Sequence, residues 1–183
     1  MNQESKLKIF EKYFLYFMMY ALLGWLYEVF LEVVVYQWGF SNRGVLFGPY
    51  LPVYGFGALT FIICLRKLKN KKITIAGISL TPLIIFLGVM VIATAMELAA
   101  SYAMEAVSGA WLWDYDAYPF NFDGRIALNP SIRFGIGGTI FIYFVQPAFE
   151  RLVKRLSEFQ LHLCFAALFI TFIADVAAGL FAL

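Results

Sequence analysis

Residues 73–104 read ITIAGISLTPLIIFLGVMVIATAMELAASYAM, and this stretch decides the fold class. It holds one charged residue, Glu97, and exceeds the roughly 20 apolar residues that a membrane-spanning helix needs. A straight helix of that length would run roughly 48 Å. Tilt, or a break near Thr81-Pro82, has to absorb the excess. Four more apolar segments flank it, at 13–35, 49–65, 134–149 and 161–183. Those at 49–65 and 134–149 are short, so their ends are expected to dip into the interface. The expected fold is an all-α, polytopic membrane helix bundle of about five transmembrane helices, forming one integral membrane domain over 1–183. An ordered aromatic loop at 105–130 is expected to close over it as a lid.

Composition agrees with that reading. The 183 residues are 62% hydrophobic and 14% charged, with 20 Phe, 11 Tyr and 4 Trp. An ordinary soluble domain is about 45–50% apolar and about 25% charged. A disordered chain, a secreted disulfide scaffold and a nucleic-acid binder are all excluded, the last because net charge is only +2. No P-loop pattern occurs, so this chain carries no ATPase of that kind. Lys6, Lys8 and Lys12 could open a signal peptide, but the apolar run after them is too long and lacks a small-residue cleavage site. An uncleaved first helix is expected.

The charges are sorted. Lys6, Lys8 and Lys12, then Arg66, Lys67, Lys69, Lys71 and Lys72, then Arg151, Lys154 and Arg155 fall on one side of a five-span topology and make up 11 of the 14 cations. Arg43, Arg125 and Arg133 fall on the other. The positive-inside rule then puts the N-terminus in the cytoplasm and the C-terminus outside. Cys64 and Cys164 lie near the cytoplasmic face, where no disulfide is expected. Eight of the 12 acids go the other way, into the membrane or the outer loops.

A carboxylate at bilayer depth faces a bundle interior or a watery cavity. Gly24, Glu28 and Glu32 share one face of the first helix. Thr94, Glu97, Ser101 and Glu105 form a stripe on the third, Gly135, Thr139 and Gln146 on the fourth, and Thr171, Asp175 and Gly179 on the fifth. Together they predict a polar cavity open to the outside. Glu32 and Glu105 read as water-facing ends of their stripes. For Glu28, Glu97 and Asp175 a structural hydrogen bond or ion pair stands level with a functional role. The candidate polar site is Glu28, Asn42, Arg43, Glu97, Asp114, Asn121, Arg125 and Asp175, with the two arginines as partners for the acids.

Two outer segments are unusual. Residues 41–55 are dense in Gly and Pro, which reads as a tight turn entering the second helix. Residues 109–130 carry Trp111, Trp113, Tyr115 and Phe122 among Asp114, Asp116 and Asp123. Rings alternating with carboxylates suit an organic cation or a sugar, and rings alone suit an interfacial belt.

Taken in order, Gly24-Trp25-x-x-Glu28, Asn42-Arg43-Gly44-x-Leu46-x-Gly48-Pro49-Tyr50-x-Pro52-x-Tyr54-Gly55, Glu97, Trp113-Asp114-Tyr115 and Phe120-Asn121-x-x-Gly124-Arg125-Ile126 resemble the ABC-transporter type IV membrane family of CmpB-like permeases. The resemblance covers about Tyr13 to Asp175. It implies a multi-pass protein of the bacterial inner membrane with a transport role. It also implies that the two outer segments meet, since the family often has cysteines at the positions held here by Leu51 and Ala127. Asp116 departs from the family pattern and takes no family role.

Three functions compete. A transport component would bind a small polar or cationic solute outside, with Pro82 and the entry to the second helix as hinges and a separate nucleotide-binding subunit, or a second copy, as partner beside the lipid bilayer. A membrane enzyme would act on a lipid or glycan headgroup using paired carboxylates, but the only histidine, His162, lies on the cytoplasmic side. An accessory protein would use the polar cluster only for folding. No cofactor is expected, and a metal site would have to be carboxylate-based, suiting Mg, Ca or Mn.

Overall fold

The computed structural model describes residues 5–44, 46–111 and 113–181. Helix α1 spans Lys6–Phe30. Ser5 caps it by accepting from the Lys8 amide at 3.2 Å. It starts before the apolar run because Lys6, Lys8 and Lys12 are good helix formers that hydropathy counts as boundary. A π-helical turn, Leu31–Val35, continues it. Helix α2 spans Pro52–Lys69. Its first residue is a proline, which needs no intrahelical partner there.

The expected helix at 73–104 divides. Thr74–Ile75 and Ile78–Ser79 are two short antiparallel strands, β1 and β2, and helix α3 runs Thr81–Ser108. The β-branched residues on either side of Ala76-Gly77 favour a hairpin that hydropathy cannot distinguish from helix. The break expected near Thr81-Pro82 falls there, with Pro82 in the first turn of α3, where proline is tolerated. Gly109, left-handed with φ +76°, ends the helix and donates to the Glu105 carbonyl at 2.8 Å.

Strands β3 (Asn121–Phe122) and β4 (Ile126–Ala127) form a second hairpin. Helix α4 (Leu128–Ile140), a π-helical turn at Phe141–Val145 and helix α5 (Gln146–Lys154) then follow as one continuous rod. The segment expected at 134–149 is thus longer at both ends, because Pro130 falls in the first turn of α4, where proline is tolerated. Helix α6 is Glu158–Phe181.

Four stretches, Lys6–Val35, Thr81–Ser108, Leu128–Lys154 and Glu158–Gly179, are long and apolar enough to cross a membrane. Helix α2, which carries three cations in its last turns, is not among them. Only 11–28% of each spanning window is buried within the chain. Such apolar surface is stable only against lipid or another apolar partner.

The chain forms two compact units, 1–59 with 147–183, and 60–146. In the first, α1 packs on α6. Phe17, Met18, Ala21 and Tyr50 form its core, with Phe14, Leu46, Leu59 and Phe172 against them. Phe14 meets Phe165, Phe169 and Phe172 edge to face at 5.3–6.1 Å, a favoured aromatic geometry. In the second, α3 packs on α4 around Leu65, Ile85, Val89 and Ile142. Gly138 permits that approach, because a Cβ there would lie 2.4 Å from Val89 Cγ1.

Candidate functional site

In the first unit, four of the eight candidates lie around the Gly/Pro-rich segment. Asp175, on α6, accepts from the backbone amides of Phe47 at 2.9 Å and Gly48 at 2.8 Å, and from the Tyr50 hydroxyl. Its carboxylate is thus a clasp on residues 47–50. Burial, then the bond to Asp175 and its charge, push the Tyr50 phenol well above its ordinary pKa. Asn42 does similar work in the same segment. It accepts from Trp25 Nε1 at 2.8 Å and donates to the carbonyls of Leu46 at 3.0 Å and Phe47 at 3.1 Å.

Glu28 accepts from the Tyr54 hydroxyl. Gly24, one turn earlier on α1, makes room for that ring, since a Cβ there would lie 2.2 Å from Tyr54 Cγ. Arg43 lies 3.6 Å from Glu32, whose other contacts are the Ser41 amide and hydroxyl. Glu32 was expected to face water, yet it is 6% exposed and holds the arginine. Its place one turn beyond Glu28 on one face was the available signal.

In the second unit, the other four lie where α3 meets the 109–130 segment. Glu97 accepts from the Tyr115 hydroxyl at 2.8 Å through Oε1, while Oε2 is buried with no hydrogen-bond partner among the described residues. Burial is the first cause, and the Glu97 bond the second, of a Tyr115 phenol held well above its usual range.

Arg125 is 6% exposed and sits between two rings, with its guanidinium carbon 4.2 Å from the Tyr102 ring centre and 3.9 Å from that of Trp111. It pairs with Glu105 at 2.5 Å and reaches Ser101 at 3.4 Å. Among the described residues, its Nε and the indole Nε1 of Trp111 are buried without acceptors. Glu105, read as water-facing, keeps its side chain 43% exposed and is also an arginine partner. The stripe Glu97–Ser101–Glu105 predicted that face, but its partner came from a segment distant in sequence.

Asp114 and Asn121 shape the segment itself. Asp114 accepts from the Asp116 amide at 2.8 Å. Asn121 donates to the carbonyls of Asp116 at 3.2 Å and Tyr118 at 2.9 Å. Trp113 Nε1 donates to the Arg125 carbonyl at 2.8 Å. The loop's described residues before α4 are 109–111 and 113–127, since the residues from 105 to 108 belong to α3.

A family model described as "Putative ABC-transporter type IV" matches residues 15–180. The chain belongs to this family. Among curated proteins and among solved structures nothing matches. This type IV chain is therefore a multi-pass membrane protein with a transport-related role, resident in the lipid bilayer.

Within the type IV chain one further buried acid went unforeseen. Glu11, on α1, is 2% exposed, and its Oε1 lies 2.5 Å from His162 Nδ1 on α6, with Oε2 unpartnered among the described residues. Its place among Lys6, Lys8 and Lys12 put it on the cation-rich side and said nothing of a partner on α6. Among the described residues no group of three or more His, Cys, Asp or Glu could hold a metal ion. Cys64 and Cys164 are free thiols. Leu51 and Ala127 are buried, at 8% and 3% exposed.

Proposed function

We propose that this chain is the permease component of a transporter and binds a small polar or cationic solute at Glu97. The observation that carries the reading is the buried Oε2 of Glu97, beside Tyr115 and without a hydrogen-bond partner among the described residues. A buried acceptor without a donor costs about 1–3 kcal/mol, and a ligand N–H, O–H or ammonium would recover that cost. Arg125 and Trp111 offer two unused donors in the same unit, which suits a solute with both donor and acceptor groups. Asp114 and Asn121 hold the 109–130 segment in shape over that site.

On this reading the whole chain is one integral membrane domain with its N-terminus in the cytoplasm, its C-terminus outside and α2 as a fifth, short span. The solute site faces outward. With no nucleotide motif in this sequence, energy would come from a separate nucleotide-binding subunit docked on the cation-rich side, and the unit of transport could contain a second copy.

A second reading has its own support. Asp175 and Asn42 spend their hydrogen bonds on their own chain, as does Glu28 toward Tyr54. That favours a folding role for the first unit's polar group, as in an accessory membrane protein. No comparable observation supports a headgroup enzyme.

Glu97→Gln separates the readings, because the amide keeps an acceptor for Tyr115 and removes the charge. Thermal unfolding of wild type and variant is measured against a panel of amines, polyols and amino acids. A solute that raises the wild-type midpoint by several degrees and leaves the variant unmoved supports the site. Equal responses, or none in a folded wild type across the panel, favour the accessory role.

A further inference from the structure

The join between α2 and α3 carries a feature that the transport reading leaves unused. Arg66, Lys67, Lys69, Lys71 and Lys72 crowd into seven residues, and no Asp or Glu occurs between Glu32 and Glu97. Among the described residues, none of these five cations enters a salt bridge. Lys69 is engaged, since its ammonium donates to the Ile142 carbonyl at 2.7 Å and lies over the Tyr143 ring. Arg66, Lys67, Lys71 and Lys72 are exposed. The negative end of the α2 dipole accounts for Arg66 and Lys67, but Lys71 and Lys72 follow the helix.

The cations lead straight into the β1–β2 hairpin. Ile75 pairs with Ile78 across it, so both side chains share one face, and they are 63% and 67% exposed. Ala76 and Gly77 make the turn with φ of 50° and 81°, the pattern of a tight primed hairpin turn. This tip is held in place. The Thr81 hydroxyl donates to the Lys71 carbonyl at 2.7 Å and receives the Ile73 amide at 3.0 Å, while the Leu80 amide donates to the Ile73 carbonyl at 2.8 Å. Thr81 is also the first residue of a spanning helix, so the hairpin lies where α3 enters the membrane.

We propose that residues 66–79 form a binding site for anionic phospholipid, with Lys67, Lys71 and Lys72 on headgroup phosphates and the Ile75–Ile78 face in the acyl boundary. Basic residues next to a span attract anionic lipid, and an apolar face beside them adds burial that headgroup charge alone cannot. Free phosphate would answer the cations and leave both isoleucines in water. An acidic soluble protein would have no need of a hairpin fixed at the membrane surface.

Thermal unfolding of the full chain in neutral detergent tests this, with phosphatidylglycerol, phosphatidylcholine or inorganic phosphate added. Phosphatidylglycerol is expected to raise the midpoint by several degrees, less so in high salt, while the other two do little. Lys67→Gln/Lys71→Gln/Lys72→Gln loses most of the shift, Ile75→Ser/Ile78→Ser about half, and Lys154→Gln/Arg155→Gln none. If the lysine variant does not fold, the isoleucine variant decides, since it keeps every cation. Full retention of the shift in both hairpin variants, an equal shift from phosphatidylcholine, or reproduction by phosphate would each overturn the proposal. So would a lysine variant that keeps the lipid shift but no longer retains a co-expressed soluble subunit, because the surface would then be a protein interface.

Discussion

At the scale of single residues, the polar groups of this protein divide by what they touch. Gly24 exists for Tyr54, whose ring crosses α1 where any side chain would collide and whose hydroxyl then reaches Glu28. Gly24→Ala forces the ring away, so destabilisation of about 1–3 kcal/mol is expected from overpacking. Thermal or denaturant unfolding in detergent reads it. The penalty should shrink when Tyr54→Ala is combined with it, because the two changes share one contact. Tyr115 gives a pH signature. Its folded pKa is raised, so the folded state keeps a proton that the unfolded chain gives up near pH 10. Its contribution is whole below that pH and is lost as pH climbs above it. Tyr115→Phe should shrink the alkaline decline in an unfolding series from pH 8 to 11, with Tyr50 keeping its own share.

Elements carry constraints that no single residue shows. Where α4 passes into α5, the Gln146 amide reaches back five residues to the Phe141 carbonyl. Pro147 has no amide to offer the next carbonyl, that of Ile142. Lys69, at the end of α2, fills the gap from outside the helix. Lys69→Met should therefore cost about 1–3 kcal/mol, the penalty for an unsatisfied buried carbonyl, while Lys67→Met stays within about 0.5 kcal/mol. Matched unfolding curves for the two variants check the difference, and equal losses would mean that water satisfies Ile142.

The same elements show what the chain revealed beforehand. Apolar length exposed the spanning segments, because lipid demands long runs. It could not place helix ends, since Ser5, Gly109 and the 74–79 hairpin obey capping and turn chemistry. The candidate arginines and acids were visible by type. Glu32 and Glu105 showed on the polar faces of their helices, but which arginine each would hold, and that Tyr54 and Tyr115 would reach the acids, did not, because pairing between segments leaves no local pattern.

For the molecule as a whole, α2 decides the topology. Its 18 residues span about 27 Å, a few ångströms short of a hydrocarbon core. Mismatch of that size costs only fractions of a kcal/mol per ångström, and its three cations sit at one end, where they can snorkel. Val53, Phe56 and Ile63 are 64%, 59% and 65% exposed, an apolar surface that a bilayer would cover. With α2 spanning, 11 of the 14 cations gather on one side. With α2 lying at the surface, charge sorting still places the C-terminus outside, but it moves the N-terminus outside and residues 36–51 inside, and five cations instead of three end up outside. The C-terminus therefore discriminates nothing, and the N-terminus with the 36–51 segment discriminates everything. In the five-span arrangement an N-terminal fluorescent-protein fusion is bright, and Phe47→Cys in a Cys64→Ser/Cys164→Ser background reacts with a membrane-impermeant maleimide on intact cells. A dark fusion, together with labelling only after permeabilisation, would return α2 to the membrane surface and leave four spans.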